Sequence, residues 1–446
     1  MSQSQVPPEM ADGVADVGSL ESEPMIDAQG SLWRDRNFLT MWSGQALSQV
    51  GAQIAELALP VVAVLLLQAS AMQLGVLNAA GVAAFLIVGL PAGAWIDRMR
   101  KRHVMIGADF VRAVALAVVP VLWWADALRV WHLMAIAPVM GVATVFFDVA
   151  YQSFVPSLVA RSQIAEANGK FEATAQLAGI TGPALGGWLV GILTAPIAVL
   201  ATGVTYVASM VALLFTRDHE VLAPAEHDRS LRRDIGEGLR WVFGNPLLRR
   251  IVGTTAVSNF FGTMSFTLLP LFLLRELGFS PVAMGVVFGL GAAGGFLGAV
   301  VSPWLVRAIG EARAIPVSAV AFSVTALLVP VAAVAPSLAF AILAVQGFLS
   351  SVAVLTYNVV QVTFRQRITP MRLLGRMNAS IRFVVWGVMP LAALLGGWLG
   401  TAIGVIPTMW IAAVGGLASS LFVVLGPFWQ MSELPDAAQE ASAQPA

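Results

Sequence analysis

Apolar residues in this chain come in runs of about twenty or more, broken by short polar or charged stretches. A helix needs about that length to cross a hydrocarbon layer of about 30 Å. Such runs can be placed at 39–67, 74–96, 104–124, 130–155, 171–193 and 196–215, and again at 251–274, 282–306, 315–335, 338–364, 374–403 and 405–428. A backbone surrounded by lipid must satisfy its own N–H and C=O groups, so each run is expected to be a helix. The pattern predicts an all-α membrane protein with twelve transmembrane helices arranged as two six-helix halves.

The breaks orient the spans. The densest charge follows span 2, in Gly93-Ala-Trp-Ile-Asp97-Arg98-Met-Arg100-Lys101-Arg102. Positive charge is retained on the cytoplasmic side. The loops after spans 2, 4, 6, 8 and 10 collect nearly all the basic residues, whereas the other face holds only Arg129 and Arg275. Both termini are therefore expected in the cytoplasm. Residues 1–37 read as a disordered cytoplasmic tail, 38–216 as the N-terminal half, 217–245 as a cytoplasmic linker, 246–429 as the C-terminal half and 430–446 as a second tail. Within the linker, Leu231, Ile235, Leu239 and Val242 recur at helical spacing beside Arg232, Arg233 and Arg240. That is an amphipathic helix, lying on the membrane surface or serving as a solvated linker.

Composition agrees. The 446 residues are 58% hydrophobic and only 11% charged, too little polarity to clothe a soluble domain of this size. Twenty-five basic and 25 acidic residues cancel, so net charge points to no nucleic-acid partner. The absence of cysteine excludes disulfides and thiol chemistry, and the four histidines lie at no metal-binding spacing, so no metal or other cofactor is expected. No Walker sequence is present for ATP, and no Asp-x-x-Asp pair of a membrane-embedded transferase occurs. The chain reads as a non-enzymatic protein.

The halves are related by an internal repeat at an offset of 210 residues. Pro60 matches Pro270, Gly75-Val76 matches Gly285-Val286, and Leu185-Gly-Gly-Trp-Leu189 matches Leu395-Gly-Gly-Trp-Leu399. Five consecutive identities at one offset argue for duplication. Two parallel six-span halves are the repeat pattern of transporters that bind substrate at the midplane between halves.

Together with the repeat, the loop Gly93, Asp97, Arg98, Arg100, Lys101, Arg102 resembles the loop between spans 2 and 3 of the major facilitator superfamily, although Arg100 stands where that family usually has glycine. In span 5, Gly182-Pro183-Ala-Leu-Gly186-Gly187 resembles the helix motif of its drug/proton antiporters; close helix packing alone is the other reading of these residues. Ser43-Gly-Gln45, Ala108-Asp-Phe-Val-Arg-Ala113, Phe147-Asp-Val-Ala150 and Glu166-Ala-Asn-Gly169 are similar to the branch containing macrolide-efflux proteins and the enterobactin exporter. The resemblance implies a monomeric secondary transporter of the bacterial cytoplasmic (inner) membrane. It would export an amphipathic small molecule, such as an antibiotic or siderophore, in exchange for protons by alternating access. Proton-coupled symport for uptake is the alternative.

Three further groups of candidate residues follow. Glu56 lies well inside span 1 on a helical face with Gln49 and Gln53, and Asn259 and Thr263 are their repeat counterparts. An acid within a span is a functional candidate, so Glu56 is expected to carry the coupling proton or to bind a cationic part of the substrate. The resemblance pairs Asp148 with Lys101 or Arg102, in a charge relay that Asp109 and Arg112, three apart on span 3, could join; pairing only with each other is the other reading. Asp97 and Glu172 correspond to Arg307 and Arg382 in the repeat, with the sign of charge inverted at both positions. In a major facilitator fold spans 2 and 11, and 5 and 8, meet across the halves, which makes Asp97 with Arg382 and Glu172 with Arg307 an expected inter-half latch. Four interfacial charges facing lipid headgroups are the other reading.

Overall fold

The structure is a computed structural model that describes residues 31–96, 98–217 and 231–431. Asp97, His219, His227 and most of both tails lie outside the described residues. Helices fill nearly all of the rest. The N-terminal half comprises α1 (Arg36–Val61), α2 (Ala71–Ile96), α3 (Lys101–Trp124), α4 (Val130–Leu158), α5 (Ile164–Ile192) and α6 (Ala195–Phe215). A linker helix α7 (Leu231–Gly244) leads to α8 (Pro246–Leu271), α9 (Pro281–Ile309), α10 (Glu311–Ala326), the short continuation α11 (Leu328–Val331), α12 (Ala339–Ile368), α13 (Met371–Ala402) and α14 (Val405–Val424).

Among the described residues, 11 helical stretches are long and apolar enough to cross a membrane. The remaining expected span, α5, is 29 residues long but too rich in Gly, Pro and Gln to qualify by hydropathy. It packs between α1 and α9 as a full member of the bundle. Several helices outrun their apolar segments: α5 starts at Ile164 and α13 at Met371, because helical hydrogen bonding continues into polar sequence that protrudes from a membrane.

The repeat carries over to the starts of the first three helices of each half. α1 and α8 begin at Arg36 and Pro246, α2 and α9 at Ala71 and Pro281, α3 and α10 at Lys101 and Glu311. Each first helix ends in a matching π-helical turn, Val62–Leu66 and Phe272–Glu276, just after Pro60 or Pro270, whose missing N–H breaks the regular ladder. Local capping is equally legible: the Asp35 carboxylate accepts from the N–H groups of Asn37 and Phe38, and Asn245 does the same for Leu247 and Leu248. Trp188 and Trp398, the paired tryptophans of the repeat, are 54% and 57% exposed on the lipid-facing surface of a multi-pass membrane protein.

The two halves share a core at one end only. On the face opposite the charged α2–α3 loop, Ile54, Leu57, Val190, Leu268, Phe272, Met284 and Val405 belong to a single apolar cluster drawn from both halves. On the basic face each half has its own cluster, around Phe38, Phe147 and Phe154 in one and Phe364, Met377 and Phe428 in the other. The described hydrogen bonds between halves follow the same division. Arg275 donates to the carbonyls of Ala69 (3.0 Å) and Val64 (2.6 Å), Met72 N–H to Thr401 Oγ1 (3.1 Å), and Asn78 to Thr267 (2.9 Å). The halves thus form a cleft that is closed opposite the basic face.

α7 packs its apolar side on the C-terminal half. Val242 is buried in that half's core, Trp241 donates to Thr369 (3.3 Å), and Glu237 pairs with Arg376. Gly238 makes this close approach possible, since a Cβ there would lie 2.3 Å from the Arg376 carbonyl oxygen. Val242, from the amphipathic face read from the sequence, is thus turned toward protein.

Candidate functional site

Between the halves, next to the shared core, lies a cavity of about 380 Å³ bounded by α1, α5, α8, α9 and α12. Its wall is mostly apolar, with Leu57, Phe266, Leu273 and Phe288. Glu56 is the one ionisable residue lining it; Gln53, Gln346, Ser350 and Ser351 supply the other polar side chains. A volume of this order, an apolar wall and a few polar groups are what a pocket for an organic molecule requires. Glu56 reaches the cavity because α1 presses its neighbouring surface against α5, leaving its carboxyl facing the space between halves.

That contact is made by the glycines of the Gly-Pro-x-x-Gly-Gly sequence. A Cβ on Gly182 would lie 2.4 Å from the Gln53 Cβ, and one on Gly186 would lie 3.2 Å from the Ile54 Cα. Gly187 faces the other half instead: a Cβ there would lie 2.5 Å from the Pro281 carbonyl oxygen. The Pro183 carbonyl sits opposite Gly285, which could not carry a Cβ either. The repeat copy builds the same seam from Gly75 and Gly397, with Ala393 in place of the proline. Close approach of backbones is therefore common to both seams, which differ at Pro183 against Ala393 and at Pro281 against Ala71.

The polar stripe on α1 divides between two spaces. Gln53 and Glu56 line the central cavity, whereas Gln49 lines a second pocket of about 520 Å³ between α1, α4 and α5, together with Gln45, Tyr151, Asn168 and Glu172. Of the repeat counterparts, Thr263 is only 6% exposed and lines neither space, and Asn259 is half-buried outside both. Sequence reasoning did not single out Gln346, Phe266 or Phe288. An apolar residue that lines a cavity carries the same sequence signal as one that faces lipid.

In the N-terminal half, Asp109 is fully buried and ion-paired with Arg112, itself 4% exposed. The guanidinium lies 4.2 Å from the Phe147 ring centre and 4.5 Å from that of Tyr206, cation–π contacts that partly replace lost hydration. The charge of Arg112 also reaches Asp148. Asp109, Arg112 and Asp148 are thus brought together, while Arg102 donates to the carbonyls of Leu213 (2.8 Å) and Leu214 (2.6 Å) at the end of α6.

Among its described residues, the charged loop contains no left-handed residue. Arg100 is extended, with φ −68° and ψ 113°, and immediately precedes α3, which Lys101 begins. This turn does not use the freedom a glycine would bring. Arg98 and Arg100 are exposed, and Gly93 lies in the last turns of α2.

Of the latch residues, Asp97 lies outside the described residues. Glu172 accepts from Gln176 (2.7 Å), Arg307 donates to its own Pro303 carbonyl (3.1 Å), and Arg382 stands over the Trp386 ring at 5.0 Å. Glu172 and Arg307 are not ion-paired in this open-cleft arrangement.

Comparison with known proteins is consistent with this architecture. The sequence model described as Major Facilitator Superfamily matches residues 41–389. The multidrug efflux pump Tap of Mycolicibacterium fortuitum is 28% identical over 75% of this chain and 82% of its own length. Macrolide efflux protein A of Streptococcus pyogenes is 24% identical over 87% of this chain and 94% of its own. Among solved structures, a bacterial homologue of the iron transporter ferroportin in the inward-facing state superposes with a TM-score of 0.68 at 18% identity, covering 89% of this chain and 99% of that one. It shares the fold. With two six-helix halves around a central cavity and a family match across most of its length, this chain belongs to the Major Facilitator Superfamily of membrane transporters.

Proposed function

We propose that the protein exports an amphipathic small molecule from the bacterial cytoplasm across the inner membrane, in exchange for protons, by alternating access. The observation that carries this reading is the cavity itself: an apolar chamber between the halves whose lining holds a single ionisable side chain, Glu56. An organic solute can shed its water there, and a carboxyl group in that position can be loaded and unloaded with a proton as the chamber is exposed to either side. The efflux pumps among the relatives support export of drug-like compounds.

With the basic face in the cytoplasm, as the positive-inside rule directs, both termini are cytoplasmic and the cleft faces inward. Substrate enters from the cytoplasm or inner leaflet. Release outward requires parting of the shared core and closure of the basic face, where Asp97 with Arg382 and Glu172 with Arg307 would form the latch. Such exposed pairs are worth about 0.2–1 kcal/mol each, enough to bias an equilibrium between two states without locking it. The chain acts as a monomer and uses neither ATP nor a cofactor.

The test is the proton flux in inverted membrane vesicles energised by respiration. Addition of an exported substrate releases protons from the acidified lumen, so the internal pH rises. Uptake symport under the same conditions gives no such rise, and that result would replace the antiport reading.

A further inference from the structure

We infer that the pocket of about 520 Å³ between α1, α4 and α5 is a binding subsite for the protonated amine of an organic cation, distinct from the chamber that holds Glu56. The inference rests on the exporter reading and adds to it a class of substrate group and a place where that group is held.

The pocket is lined by acceptors whose capacity is unspent. Gln45 lines this space and is only 7% exposed, and its buried Oε1 has no hydrogen-bond partner in the protein. A buried carbonyl oxygen left without a donor costs about 1–3 kcal/mol, a loss that an incoming N–H would remove. Glu172, exposed on the pocket wall, spends one oxygen on the neutral Gln176 amide at 2.7 Å, which leaves its charge uncompensated. Lys170, two residues earlier, is engaged elsewhere, 3.1 Å from Glu166 and 4.0 Å from the Trp33 ring centre. Tyr151 lies between the charges of Glu172 and Asp148, and Arg112, the cation that reaches Asp148, is already paired with Asp109. Among the described residues, the local charge around the pocket is therefore negative.

The repeat sharpens the chemistry. At the offset of 210 residues, Gln45 corresponds to Thr255 and Glu172 to Arg382. The equivalent place in the C-terminal half thus has a guanidinium where this pocket has a carboxylate, and it would repel an ammonium group. A cationic substrate is thereby oriented with its amine toward the N-terminal half. The volume exceeds that of an ammonium group several-fold and accommodates an amino sugar or an arylalkyl amine. Closure of the basic face would bring Arg307 to Glu172 and displace the amine toward the central cavity.

The experiment is equilibrium binding to the full-length protein in lipid nanodiscs, with empty nanodiscs subtracted. The probes are dansylcadaverine, an aromatic primary amine that is cationic at neutral pH, and its N-acetyl derivative, which keeps the apolar body and loses the charge. The wild type is expected to prefer the amine by about tenfold or more, the worth of a hydrogen-bonded charge. Glu172→Gln should abolish the preference, and Gln45→Leu should reduce it about threefold or more. Because Glu172 is exposed, its replacement is not expected to impair folding, and unchanged affinity for the neutral derivative checks this. Loss of a gate contact alone would move both probes alike. Equal binding of the two probes by the wild type, or an undiminished preference in Glu172→Gln, overturns the subsite. The exporter reading fails separately, in the vesicle pH measurement, which this titration does not involve.

Discussion

The guanidinium of Arg275 crosses from one half of the protein to the other and ends 2.6 Å from the carbonyl oxygen of Val64. A second nitrogen reaches Ala69 at 3.0 Å. Val64 lies in the π-helical turn that follows α1 and Ala69 in the connection to α2, where carbonyls are left without helical partners. A cation there satisfies both and fastens the halves opposite the basic face. Arg275→Ala should therefore open that face. Hydrogen bonds to a charged group are worth about 1.5–3 kcal/mol, so the open population should rise about tenfold or more. The chain contains no cysteine, so a single Gln53→Cys reporter can be labelled from that side with a membrane-impermeant maleimide. Labelling should accelerate in Arg275→Ala and only slightly in Arg275→Lys; an unchanged rate would deny Arg275 this role.

Glu56 is the proposed proton carrier. Glu56→Gln keeps the shape and hydrogen-bonding capacity of the side chain but cannot release a proton. Substrate counterflow, which needs no net proton movement, should persist, while the pH rise in inverted vesicles should disappear. A Glu56→Gln protein with intact proton-coupled export would remove this residue from the mechanism.

The seam glycines give a steric prediction. A side chain at Gly187 meets backbone of the opposite half at 2.5 Å, and backbone cannot swing aside as a flexible side chain can. Gly187→Val should hold the halves apart opposite the basic face and stop transport in a protein that still inserts. Gly262, around which a Cβ would meet nothing within 4 Å, is the control: Gly262→Ala should raise thermal stability by about 0.5–1 kcal/mol. Unimpaired transport in Gly187→Val would show that the close seam is dispensable.

Arg112 carries the buried charge balance of the N-terminal half. Removing one partner of a buried pair costs about 3–5 kcal/mol, whereas replacing both by apolar residues is often nearly neutral. Arg112→Met should shorten the folded lifetime in detergent markedly, and Asp109→Leu with Arg112→Met should restore most of it. If the double variant recovers stability but not transport, the pair serves as a relay as well as a structural contact.

The latch is tested by exchange of charge. Asp97→Arg and Arg382→Asp should each slow transport, and the double exchange should recover it. Absence of recovery would leave Asp97 and Arg382 as separate interfacial charges.

The sequence by itself determined the long helices, their pairing at an offset of 210 residues and even the matching turns after Pro60 and Pro270. Each of these is local. Helix length follows from the thickness of a membrane, helical bonding from the lack of other partners in lipid, and the turns from a missing N–H. The family was legible for the same reason, because its motifs are contiguous in the chain. Only the tertiary structure decided which polar residues share a space. Gln49 and Gln53 occupy one helical face, yet they line different cavities, because α5 presses on α1 at Gly182 and Gly186 and divides the cleft. Likewise, Arg275 stood in the sequence as one of two basic residues on the face that otherwise lacks them. Its partners are backbone carbonyls 206 and 211 residues away, and a carbonyl, present at every residue, leaves no signature in a sequence.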